Sequence, residues 1–140
     1  MKKIFFVFLI LVVLFGLIQL VPYGRDHNNP QVVFVPNWDS PATRDLVKTA
    51  CFDCHSNESV WPWYSNIAPV SWLVYRDVVE GRRNLNFSDW SFMSASANEI
   101  TSIINEGEMS PFQYTIIHRN AILDAPQKKA LIDGITNTLK

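Results

Sequence analysis

CFDCH, residues 51–55, holds both cysteines of the chain and sets a histidine directly after the second. C-x-x-C-H is the spacing of covalent haem attachment. Each thiol adds to one vinyl group of the ring and leaves a thioether. The residue after the second cysteine then lies under the iron. On this reading Cys51 and Cys54 anchor the ring, and His55 supplies an imidazole nitrogen as the proximal iron ligand.

Three other readings compete. A thioredoxin-type pair expects a strand before C-x-x-C and a helix after it. Here a helical pattern leads in and a loop-like stretch follows. A structural zinc site takes four ligands. Two cysteines and three histidines (His27, His55, His118) allow that arithmetically, yet the chain has no H-x₃₋₅-H pair. A Cys51–Cys54 disulfide is the plainest alternative.

The surroundings of the motif bear on the choice. The chain has 140 residues, a length that suggests one domain. Lys2 and Lys3 precede an almost unbroken apolar run, Ile4 to Val21, of 18 residues. As a helix it would span roughly 27 Å, near the thickness of a bilayer core. No Ala-x-Ala pattern closes it, so an uncleaved membrane anchor is expected over residues 1–21 rather than a signal peptide. The two lysines would hold the N-terminus in the cytoplasm. Everything after Pro22 would then lie on the far side of the membrane; in a bacterium that is a single-pass inner-membrane protein with its haem domain facing the periplasm. Thiols there are disulfide-bonded, metal-bound or otherwise occupied. With Lys2 and Lys3 set aside, 10 basic and 13 acidic residues remain, a net charge of −3. That is no footprint for nucleic acid, which needs a basic face.

Residues 22–39, with Pro22, Pro30 and Pro36, read as an extended linker. Val32 to Val35 would lie along the domain. The haem-binding domain then covers 40–140. Ser40-Pro41 gives an N-cap and a first-turn proline, opening a helix from about 41 to 52. Residues 56–68 are an aromatic loop. A second helix runs from Pro69 to about Arg82, with Val70, Leu73, Val74, Asp77 and Val78 on one side. Ser96 and Glu99 form a capping box for a helix that ends at Glu106, with Gly107 in the C′ position. Asp124 to Gln127 starts the last helix, whose inner face is Ala130, Leu131, Ile135 and Leu139. The fold class is all-α.

Haem iron has a second axial position. Met109, after Gly107 and before Pro111, is the first candidate for distal ligand, since a soft thioether raises the haem potential. His118, Met93 and His27 are the others; Met93 reads better as core. A haem must also be walled in. Trp61, Trp63, Tyr64 and Trp72 are candidate packing residues, with Phe87, Trp90 and Phe112 as further aromatics. Arg76, Arg82 and Arg83 could pair with the propionates, although a solvated helix end is the plainer role.

CFDCHSNES, WPWYSNIAPVSWLVYRDVVEGRRNLNFSDW, EGEM and QYTIIH together resemble the small haem-binding domain family of exported bacterial proteins, a divergent relative of cytochrome c. The likeness runs from about Pro22 to the C-terminus. It implies a cytochrome c-like helical domain with haem c on Cys51 and Cys54, and His55 as axial ligand. Met109 matches a methionine that the family typically follows with proline; here Ser110 intervenes before Pro111.

The leading functional expectation is a membrane-anchored monohaem c-type cytochrome that transfers single electrons and is not itself an enzyme. Its partners would be redox proteins, the c-type haem maturation machinery and, through the N-terminal helix, the membrane. A haem peroxidase would need an open sixth position and distal groups such as His118 or Glu108. A redox- or gas-sensing module would also need the open position, and a partner to carry the signal. A haem-free module with a disulfide would be colourless.

Overall fold

In the computed structural model the described residues are 1–92 and 95–140, without the Phe92 side chain. Met93, one of the ligand candidates, lies outside them. Among the described residues the architecture is all-helical. The helices are α1 (Lys2–Ile18), α2 (Pro41–Ala50), α3 (Phe52–His55), α4 (Val70–Asn84), α5 (Ala97–Glu106), α6 (Phe112–Thr115) and α7 (Ala125–Thr138).

Local chemistry sets the helix ends. Ser40 caps α2 by accepting from the Thr43 amide, with Pro41 in the first turn. Ser96 and Glu99 close a capping box on α5, and Asp124 and Gln127 close one on α7. At the end of α5, Gly107 takes φ 79°. The Glu108 amide returns to the Ile103 carbonyl and the Gly107 amide to Ile104. This Schellman arrangement, which glycine enters without a Cβ penalty, turns the chain towards Met109.

The core joins α2, α3, α5 and α7. Val47, Phe52, Phe87, Ile100, Ile104, Leu131 and Ile135 are buried together. Each contributes roughly 1.5–3 kcal/mol on leaving water. Phe87 is the hub, with Phe52, Trp90 and Trp38 rings around it at 5.5–5.9 Å. Ala130, expected on the inner face of α7, is exposed instead. The helix is rotated so that Gly134 faces α2, where an added Cβ would lie 2.6 Å from Thr43 Cγ2.

Residues 22–39 are not helical and are stitched to the body. Phe34 bridges Asp89 in parallel. The Val33 amide donates to the Ser88 carbonyl at 2.9 Å, and the Trp90 amide to Phe34 at 2.8 Å.

The expected membrane anchor is overturned. No helix among the described residues is long and apolar enough to cross a membrane. α1 has 17 residues, about 25 Å at 1.5 Å per residue, against a core of roughly 30 Å. It stops because Gln19 is claimed by the body of the protein. The Gln19 amide donates to the Ala68 carbonyl and its oxygen accepts from the Ala68 amide, both at 2.9 Å. Leu20 and Val21 fall beyond this turn, so the apolar run is split. The single-pass inner-membrane placement, with a domain on the periplasmic side, falls with it.

Candidate functional site

CFDCH begins where α2 ends. Cys51 terminates α2, and the one-turn α3 carries Cys54 and His55. Its backbone is fixed from two sides. The His55 carbonyl accepts from the Phe87 amide at 2.8 Å. The following Ser56, Asn57 and Ser59 are buried polar residues with partners: Ser56 Oγ donates to Phe52, Ser59 Oγ to Asp53, and Asn57 Nδ2 to Gln31. Arg82 ties this loop to the 22–39 segment. Its guanidinium donates to the Ser56 and Asn28 carbonyls, Asn29 Oδ1 and Ser59 Oγ at 2.7–2.9 Å.

α4 packs across α3 at Gly81. A Cβ there would lie 2.9 Å from the Cys54 carbonyl carbon. This approach delivers the Gly81 and Leu85 carbonyls to His55 Nδ1, at 3.0 and 3.1 Å. Both partners are acceptors, so Nδ1 carries the proton and donates. Nε2 is left with its lone pair, the tautomer a metal ligand needs. Burial holds the imidazole below its ordinary pKa, against the pull of these two hydrogen bonds.

Two adjoining cavities open on this imidazole. One of about 370 Å³ is walled by Cys51, His55, Phe87, Ile100, Ile103 and Met109. The other, about 200 Å³, is walled by Cys51, Asp53, Cys54, His55, Met109 and Tyr114. The larger is in the range of small-molecule and cofactor sites, roughly 300–1,000 Å³. The structure thus brings Cys51, Cys54, His55 and Met109 around one space. An apolar plate with one imidazole and one thioether in its walls fits haem iron. Cys51 and Cys54 are free thiols. Burial pushes both up to about 12, with Cys54 adding to the rise at Cys51, and Asp77 and Asp53 to that at Cys54. Such thiols are poor thiolates, which disfavours a thioredoxin-like role. Among the described residues no three His, Cys, Asp or Glu side chains converge on a metal position, which disfavours structural zinc.

Other expected residues lie elsewhere. His118 stacks on Tyr114 at 4.1 Å and shares a 2.7 Å hydrogen bond with Tyr64. With Trp61 and Tyr64 it borders a third cavity, of about 80 Å³, which shares the Asp53, Cys54 and Tyr114 walls of the 200 Å³ one but does not reach His55. His27 stacks on Trp61 at 4.4 Å. Trp63 is 76 % exposed and Phe112 79 %. Neither they nor Trp72 wall the two cavities at His55. Arg82 is occupied by the loop, Arg76 pairs with Asp77 at 3.2 Å, and Arg83 and Glu108 are exposed.

Sequence reasoning missed Gly81, Leu85, Asp53 and Tyr114. Gly81 left a trace: a glycine inside a helical pattern usually has a packing reason. The carbonyl of Leu85 leaves none.

The model of a family described as haem-binding domain matches residues 13–137. The match begins inside α1, further towards the N-terminus than the quoted motifs. Searches among curated proteins and among solved structures gave no match.

Proposed function

The chain belongs to the haem-binding domain family, and from that premise we propose that it holds one haem c through thioethers to Cys51 and Cys54 and transfers single electrons. His55 would hold the iron through Nε2, and Met109 through its thioether sulfur. The observation that carries this reading is the fixed His55 tautomer in a cavity wall shared with both cysteines and Met109.

Attachment needs no oxidant. Each S–H adds across one vinyl C=C: sulfur bonds one carbon, and the other takes up hydrogen. The haem then supplies the one-electron couple. His55 keeps its Nδ1 proton on Gly81 and Leu85 and so holds one ring orientation. Ile100 and Phe87, both buried, exclude water from one side of the space, a wall that would favour the less charged state of a bound iron. The c-type maturation machinery and redox proteins are the partners this chemistry requires.

The test is the visible spectrum of protein expressed with that machinery, in both oxidation states and after denaturation. Expected are a haem that stays on the denatured chain, a sharp low-spin reduced spectrum and a sulfur-to-iron charge-transfer band when oxidised. A covalent but high-spin haem would overturn Met109 ligation and favour an open position for catalysis or sensing. A colourless protein would overturn the whole reading.

A further inference from the structure

Met109 lies in a short span clasped at both ends. Upstream, the Schellman turn fixes Glu108 to Ile103 at 3.2 Å. Downstream, Ser110 Oγ donates to the Ala50 carbonyl at 2.9 Å. Four residues further on, Tyr114 Oη donates to Asp53 Oδ2 at 2.6 Å. Both acceptors flank Cys51, so the methionine span is registered against the cysteine segment itself. Asp53 is in turn held, since its Oδ1 accepts from the Val60 amide at 3.0 Å. The Tyr114 ring is fixed by its 4.1 Å stack on His118, which is bonded to Tyr64. Tyr114, Asp53 and Met109 also share the wall of the 200 Å³ cavity.

Met109 itself is 43 % exposed, so its own packing holds it weakly. We infer that Tyr114, through Asp53, is the positioning residue that keeps Met109 at the iron and closes the sixth coordination position to outside ligands. The inference rests on the Met109 ligation proposed above. A short hydrogen bond to a carboxylate is among the stronger ones available. Its loss shifts a closed-to-open equilibrium by about tenfold or more. His118 and Tyr64 act as a buttress behind Tyr114, which gives this histidine a role without iron.

The test uses the haem-loaded full chain. Tyr114→Phe removes one hydroxyl and keeps the ring and its stack. Expected are loss of most of the sulfur-to-iron band at neutral pH and an about tenfold tighter binding of added imidazole to the ferric protein. Asp53→Ala removes the same contact and the Val60 amide's acceptor as well, so it should do at least as much, and the double variant no more than Asp53→Ala alone. Ile135→Val, in the α2–α7 core and in neither cavity wall at His55, lowers stability but should leave band and imidazole affinity unchanged. If Tyr114→Phe does not fold, Asp53→Ala carries the comparison. A wild-type band that survives both substitutions, with unchanged imidazole affinity, overturns the inference alone. A wild-type protein without the band overturns the Met109 reading and the inference together.

Discussion

Gly81 packs against Cys54 so closely that a methyl group on the glycine would stand 2.9 Å from the Cys54 carbonyl carbon and 3.1 Å from its Cβ. The obstructing atoms are largely backbone, which cannot rotate away. The same crossing sets the Gly81 carbonyl 3.0 Å from His55 Nδ1. Gly81→Ala must therefore push α4 off α3 and loosen the histidine at once. The expected loss is about 1–3 kcal/mol, the range for overpacked sites, read by denaturant unfolding. In haem-loaded protein the low-spin spectrum should also broaden or become mixed-spin. A variant as stable as wild type with an unchanged spectrum would show that the crossing does not hold His55.

The two cysteines should be separable by their bonds to haem. Cys51→Ser or Cys54→Ser leaves one thioether, so colour should remain on the denatured chain in either single variant, with a shifted reduced band. The double variant keeps His55 and the cavity, so it should bind added haem, but denaturation should release all of it. Denaturing gels stained for haem read this directly. Haem lost on denaturation from the wild-type chain would sink the covalent part of the reading.

The helix ends were legible because their signals are local. Ser40-Pro41, Ser96 to Glu99, Gly107 and Asp124 to Gln127 act within one turn, and each does so in the structure. The CFDCH motif is equally local, five residues long. What could not be read depends on pairs distant in sequence. Gln19 meets Ala68, 49 positions away, and that contact stops α1 where an apolar run alone predicts continuation. Ala130 turns outward because Gly134 allows α7 to approach Thr43 on another face. Tyr114 reaches Asp53 across 61 positions. His118 looked like a ligand because histidine binds iron, yet its partners are Tyr64 and Tyr114. No periodicity or spacing distinguishes those two fates.

Arg82 should not tolerate lysine. Its guanidinium makes four hydrogen bonds that tie Asn28 and Asn29 to Ser56 and Ser59. A lysine ammonium lacks the planar fork and has only three donors. Arg82→Lys keeps the charge, so any effect reports geometry. The expected cost is about 1–3 kcal/mol, the scale of lost charge-assisted bonds to partly buried groups. Limited proteolysis should also cut residues 22–39 faster, because that segment loses a tether to the loop after His55. Unchanged cleavage and stability would mean that the other tethers of the segment, the Phe34–Asp89 bridge and the Asn57–Gln31 bond among them, hold it without Arg82.

Glu99 gives a pH dependence whose sign can be worked out in advance. Its carboxylate accepts from the Ser96 amide at 2.7 Å and from Ser96 Oγ at 2.9 Å. These bonds hold it below its ordinary value of 4.5, slightly opposed by desolvation. A depressed folded-state value means that the unfolded chain takes up the proton first. The stabilisation is therefore complete above about pH 4.5 and disappears as pH falls through the lower folded-state value. Glu99→Gln keeps a capping-box side chain without the charge. It should flatten this part of the acid limb while leaving the helix intact, and wild type and variant should converge in stability at the acid end. Midpoints of denaturant unfolding between pH 3 and 6 would decide it. Parallel curves for the two proteins would mean that the carboxylate charge on the α5 cap contributes nothing to folding.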